Sequence, residues 1–314
     1  MRWSRGSTTG CCRCWKPTER AKDAALRRPI RSRRWRLLRY VGQRTVKRPG
    51  LMQTRLADPH CDRQQRELQF AGRVARLAKH RGSRLAAVEN HLIELLPRRA
   101  RLSLLAICEP VPLVLAEVLC EPGGPTRHVY FPTHGFISLV AMTAGSPGVE
   151  VGMVGREGML GAQLALGVAT TPLHSLVQGA GAAWRVGAAA FRRELAVSAV
   201  LQRSLHRYLY VLMAQQAASV ACLRFHLIGP RLARWLLMSQ DRARSDSFHV
   251  THEFLAYMLG VRRVGITMAA GSLQRDGLIE YHRGDFVVLD RRGLEAAACG
   301  CYAADQQAYA DLMN

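Results

Sequence analysis

The chain has 314 residues, of which 48% are hydrophobic and 22% charged, enough for two modest domains with apolar cores. Its formal net charge of +22 is lopsided, because residues 1–84 hold 24 Lys+Arg against 5 Asp+Glu while residues 85–314 hold 21 against 18. No apolar run approaches the roughly 18–20 residues of a membrane span, and the basic N-terminus lacks the apolar stretch of about 7–15 residues of an export signal, so a cytoplasmic protein with no membrane partner is expected.

Residues 1–84 read as a basic extension without a fixed fold, given Arg-rich stretches such as Arg31-Ser32-Arg33-Arg34-Trp35-Arg36 and little apolar content. It is a basic arm adding phosphate contacts, a transit-like segment, or an extension upstream of the native start; nothing in it resembles a designed core. Nine cysteines in a chain without an export signal do not make a disulfide framework. Cys11, Cys12 and Cys14 are too bunched for the usual zinc spacing, as is Cys299-Gly300-Cys301, so both groups are read as surface thiols and no metal or cofactor is expected.

From residue 85 the pattern changes. A short helical stretch begins around Asn90 and continues over 101–107. Strand-like runs follow over 111–119, 128–132, 136–142 and 149–153, with a further pair over 175–178 and 183–186 and Gly/Pro turns between. Strands at about 8–12-residue spacing with such punctuation predict a small antiparallel barrel or jelly roll over 85–187. Residues 188–226 contain neither proline nor glycine, and Leu205, Leu209, Leu212, Gln216 and Leu223 share a face. That predicts one long amphipathic helix, whose stripe faces the barrel or a second copy of the chain.

Residues 227–297 carry the most informative pattern. Pro230 suits the first turn of a helix holding Leu232, Trp235 and Leu236. Thr251 is a natural N-cap for a helix to Leu259, Gly260 suits a tight turn needing positive φ, and Val261, Val264, Ile266, Ala270 and Leu273 give a second helix its apolar side. Small Ala256 and Gly265 would let the two helices cross closely. Residues 278–281 and 286–289 then form a hairpin around Arg283-Gly284-Asp285. Helix, turn, helix and hairpin make a winged helix-turn-helix; residues 298–314 are left as a C-terminal tail.

In such a unit the start of the second helix meets base edges in the major groove of duplex DNA. Arg262 and Arg263 lie there, and arginine reads guanine O6 and N7 or clamps a phosphate. Thr251, His252, Thr267, Arg275 and the hairpin-tip Arg283 are candidate backbone contacts. Residues 252–256 begin like a zinc-protease helix, but Ala256 replaces the second histidine; Gly179 and Gly181 begin a phosphate-loop pattern that Trp184 breaks. No catalytic constellation is present, so the chain is not expected to be an enzyme.

With these residues in view, the chain resembles the Crp/Fnr superfamily of transcription regulators. The resemblance spans residues 86–297 and rests on His128-Val129-Tyr130-Phe131-Pro132, Gly155-Arg156-Glu157-Gly158-Met159-Leu160-Gly161, Leu232-Ala233-Arg234-Trp235-Leu236-Leu237 and residues 251–279. It implies an α+β chain: a cyclic-nucleotide-binding-like barrel, a dimerisation helix over 188–226 and a DNA-binding winged helix over 227–297. The implied partners are a pseudo-palindromic DNA operator, a second copy of the chain, RNA polymerase and a small effector of unknown identity. The family's effector positions fall on Gly161, Ala162, His174 and Ser175. Where nucleotide binders carry a glutamate and an Arg-Ser pair, this chain has Ala162 and His174-Ser175, so tight binding of a cyclic nucleotide is not expected. Val264 and Met268 replace two residues that often read bases, which implies a different operator. A winged helix that binds a protein partner instead of DNA is the alternative, since residues 226–296 carry only 10 Lys+Arg against 8 Asp+Glu.

Overall fold

A computed structural model describes residues 89–143 and 148–313; the basic extension, with Cys11, Cys12 and Cys14, lies outside them. The fold is α+β, as expected. Asn90 caps α1 (His91–Glu94) by accepting from Ile93 N, and α2 (Arg98–Ala106) follows Pro97. Five strands then form one antiparallel sheet: β1 (Glu109–Leu113), β2 (Val118–Cys120), β3 (His128–Ala141), β4 (Val149–Val154) and β5 (Leu173–Gly187). Their order is β1-β5-β3-β4, with β2 also paired to β5, and among the described residues this path stays open rather than closing.

Two expected pairs of short strands are single long ones. The runs 128–132 and 136–142 join as β3, and 175–178 and 183–186 join as β5; the two pair from His128↔Gly187 to Ala141↔Leu173. Register breaks between Pro132 and Ile137 bend the ladder, as bulges do, which is how a long strand mimics two. At that bend Gly135 has φ +73°, and a Cβ on Gly179 or Gly181 would collide with Phe136 or the His134 carbonyl. Those two glycines thus serve close strand approach, not a hairpin turn.

The long helix is also divided. Ser198 leaves helical geometry (φ −115°, ψ 86°), ending α3 (Ala188–Val197) and capping α4 (Ala199–Phe225) by accepting from Leu201 N. A serine oxygen competes well for backbone N–H groups, so a break needs neither glycine nor proline. The Leu205, Leu209 and Leu212 stripe packs into its own chain's core with Phe131, Phe191 and Leu164. The face turned to solvent is another one, where His206, Tyr210, Met213, Ala217, Val220 and Arg224 are all exposed.

After α4 come α5 (Ile228–Ala243), β6 (Ser247–His249), α6 (His252–Met258), α7 (Arg263–Arg275), β7 (Ile279–His282), β8 (Asp285–Val288), α8 (Arg291–Ala297) and α9 (Cys301–Met313). β6 pairs with β8, so the wing is a three-stranded sheet rather than a bare hairpin. Residues after 297 form a helix packed on α4, with Met313 inside the core beside Phe191. Its Asp305 makes a buried ion pair with Arg234 of α5.

One apolar core spans the winged unit and the larger sheet. Leu232, Trp235, Leu236, Leu255, Ile266 and Phe286 cluster with Phe136 of β3 and Met153 of β4. Trp235 meets Phe136 edge-on at 6.4 Å. Each such buried side chain contributes about 1.5–3 kcal/mol, so the two parts are packed together rather than tethered.

Candidate nucleic-acid interface

Thr251 caps α6 by accepting from Phe254 N at 3.2 Å, and Gly260 turns the chain into α7 with φ +61°. Both follow the expected pattern. Gly265 has a different role: a Cβ there would press on Ile228 Cδ1 of α5, so its smallness admits α5 rather than α6. On α7, Ile266, Ala270 and Leu273 are buried, while Arg263, Val264, Thr267, Met268, Gln274 and Arg275 are exposed. Ser272 is exposed as well, and at 3.6 residues per turn the exposed residues occupy one arc of roughly 180°. Arg262, the N-cap, is exposed beside it. Val264 and Met268 are 62% and 71% exposed, a high apolar exposure on a helix whose other side is covered.

Gln274 was not singled out from sequence, although it lies eleven residues, about three turns, after Arg263 on the same face. The wing turns at Arg283 and Gly284, with φ +49° and +100°, the two successive positive values of a tight two-residue hairpin turn. Arg283 is exposed at its tip.

His252 is engaged within the protein. Its ring stacks on Tyr281 of β7, centroids 4.1 Å apart, and its Nδ1 lies 3.1 Å from Thr267 Oγ1. The Thr267 hydroxyl donates to the Arg263 carbonyl, which leaves His252 Nδ1–H as the donor between the two side chains. Burial, and then the Arg263 charge, lower the His252 pKa and keep the ring neutral. His252 therefore braces α6 against α7 and the wing.

The expected effector positions are filled by packing. Gly161 has φ +95°, and Ala162 is buried in the core that holds Phe191 and Leu205. His174 and Ser175 are buried on β5, with His174 Nδ1 3.0 Å from Glu121 Oε2. A carboxylate there repels a phosphate. The 155–158 loop of the resemblance is a structural hub. Gly155 and Gly158 leave room for Arg242 and Tyr208, Arg242 Nε lies 3.0 Å from Glu157 Oε1, and Tyr309 Oη donates to the Glu157 carbonyl. The sheet, α4, α5 and α9 all meet on it.

Beside this hub, a small cavity at the sheet–helix junction is lined by Glu150, Gly152, Cys222, Arg231, Trp235 and Met258. Trp235 Nε1–H donates to Glu150 Oε1, while burial raises the Glu150 pKa to about 7.

The described residues thus make an antiparallel sheet domain joined through a long helix to a winged helix-turn-helix. A family model described as a Crp-like helix-turn-helix domain matches residues 230–297. Among solved structures, FixK2 of Bradyrhizobium japonicum is similar at 13% identity, over 62% of this chain and 98% of that one, with a TM-score of 0.53. A CRP/FNR-family regulator of Thermus thermophilus is similar at 22% identity, over 60% and 98%, with a TM-score of 0.50. The c-di-GMP responsive global regulator CLP of Xanthomonas campestris is similar at 16% identity, over 61% and 99%, with a TM-score of 0.50. No curated protein sequence matches the chain. The family match thus places a Crp-like helix-turn-helix domain at residues 230–297, and the solved structures share the fold of the described residues around it. No helix among the described residues is long and apolar enough to cross a membrane.

Proposed function

We propose that the protein is a transcription regulator that binds a pseudo-palindromic duplex site as a homodimer. The observation that carries this reading is the exposed arc of α7, headed by Arg262 and Arg263 and flanked by Arg283 of the wing. Arg263 is assigned to base reading, Val264 and Met268 to apolar contact with thymine methyls, and Thr251, Arg275 and Arg283 to the backbone, while the Thr267 hydroxyl is held by the Arg263 carbonyl. His252 holds the helices that present them.

The dimer is assigned to the exposed face of α4. His206, Tyr210, Met213, Ala217, Val220 and Arg224 recur at spacings of four and three, the pattern of a two-helix seam. A small effector in the sheet domain, or at its junction with α4, would act by favouring one pose of the winged unit over another, with RNA polymerase as the downstream partner. Gly161, Ala162, His174 and Ser175 are read as a degenerate site that does not take a cyclic nucleotide.

Selection from randomised duplex DNA with the full chain tests the proposal. An enriched inverted repeat supports it; a folded dimer that enriches none overturns it. The near-balanced charge of residues 226–296 favours a protein partner as the second reading. Binding that does not weaken as salt rises would point that way.

A further inference from the structure

Outside the nucleic-acid surface, four side chains with metal-ligating chemistry converge where α4 ends and α9 begins. Cys222 and His226 lie four residues apart, on the last turn and C-cap of α4. Cys299 and Cys301 arrive from more than seventy residues later in the chain, just ahead of α9 and at its first residue. One ligand atom from each lies within 4.8 Å of all the others. The Cys222 and Cys299 sulfurs are 3.5 Å apart, and Cys301 Sγ is 3.5 Å from His226 Nδ1. Cys299 is thus not the surface thiol that its crowded spacing suggested: it is 8% exposed, and Cys222 2%.

We propose that Cys222, His226, Cys299 and Cys301 form a tetrahedral zinc site. Three thiolates and one imidazole are a structural zinc set. Tetrahedral bonds of about 2.3 Å to sulfur and 2.0–2.1 Å to nitrogen put neighbouring donors roughly 3.5–3.8 Å apart. The two donor pairs measured here need to move by only a few tenths of an ångström, and the set is too tight to enclose a polynuclear cluster. The surroundings also suit it. Three thiolates and Zn2+ carry one net negative charge, and the guanidinium of Arg234 acts on Cys222, Cys299 and Cys301 alike.

The position gives the site its purpose. His226 and Leu227 are the C-cap of α4 and the N-cap of α5, and Cys299 N donates to the Pro230 carbonyl of α5 at 3.3 Å. A metal here fixes the joint between the long helix and the winged unit, and anchors α9 to both. The site itself does not depend on DNA binding.

The test uses the full chain, reduced, stripped with a chelator and titrated anaerobically with Co2+. The expected result is one equivalent per chain, with ligand-field bands of tetrahedral cobalt, a thiolate charge-transfer band, and displacement by Zn2+. Cys301→Ser and His226→Gln, at partly exposed positions, should each weaken cobalt binding at least about tenfold with the far-ultraviolet circular dichroism unchanged. His226→Cys should keep the site and shift the bands. A variant with Cys11, Cys12, Cys14 and Cys61 all changed to serine should bind as the parent does. Absence of tetrahedral bands, bands that survive Cys299→Ser with Cys301→Ser, or bands lost in the N-terminal variant would each overturn the proposal. A Cys222–Cys299 disulfide in freshly isolated protein would do the same.

Discussion

The indole of Trp235 and the carboxylate of Glu150 are joined by a 2.9 Å hydrogen bond, which ties α5 of the winged unit to β4 of the sheet. Burial holds the acid at about 7 against an ordinary 4.5. Between those two values the folded chain keeps a proton that the unfolded chain has released. Stability therefore falls as pH rises through that window and levels off above it. Glu150→Gln keeps an acceptor for the indole but cannot ionise. Denaturant melts should show the variant more stable than the parent at pH 8, by about 1–3 kcal/mol, and nearly equal at pH 4.5. A gap that does not change with pH would show that Glu150 does not titrate there.

Arginines 263 and 283 should fail differently. Arg263→Ala should weaken binding to the selected operator by about 1–3 kcal/mol and relax preference at one base pair, because it removes base contacts. Arg283→Ala should weaken all duplexes alike and lower the salt slope by about one, because it removes a phosphate contact. Salt titrations on operator and scrambled duplex separate the two patterns. Equal losses of selectivity would refute the assignment.

Two faces of α4 should respond oppositely to charge. Met213→Glu with Val220→Glu alters side chains that are 67% and 64% exposed, so each chain should stay folded while light scattering reports monomers. Leu205→Glu places a charge at a fully buried position and should unfold the protein instead. A folded Met213/Val220 variant that remains dimeric would move the seam elsewhere.

Adding cyclic AMP or cyclic GMP should leave operator affinity within about twofold, since His174 is buried against Glu121 and no arginine stands in its place. Calorimetric titration gives the direct check, and saturable binding in the micromolar range would restore the nucleotide reading.

The winged unit was legible because its signals are local. A capping threonine, a turn glycine and an Arg-Gly hairpin tip each act within a few residues, and the structure has all three where the sequence puts them. What sequence could not supply depended on distant partners. Nothing near Leu205 says that a core with Phe131 and Phe191 takes it in, so its stripe read as a dimer seam before it read as packing against the sheet. The continuity of β3 through Pro132-Thr133-His134-Gly135 depends on β5 opposite, forty or more residues later. Ser198 breaks a helix that has no glycine or proline near the break, and β6 is too short to announce itself. The Cys222–Cys299 encounter crosses 77 positions, so crowded spacing within Cys299-Gly300-Cys301 was the wrong criterion.

Helix α9 bears on how the gene should be cut for experiments. The Crp-like match ends at residue 297, which invites a stop codon there. Such a cut would strip the buried Arg234 guanidinium of the Asp305 carboxylate, expose the α4 surface under Met313, and remove the Tyr309 hydroxyl that holds the 155–158 loop. Breaking a buried ion pair from one side alone costs about 3–5 kcal/mol, a large part of an ordinary domain's stability. A shortened gene product that aggregates would therefore report a missing brace rather than a flaw in the winged unit, and affinity tags belong at the other end of the chain.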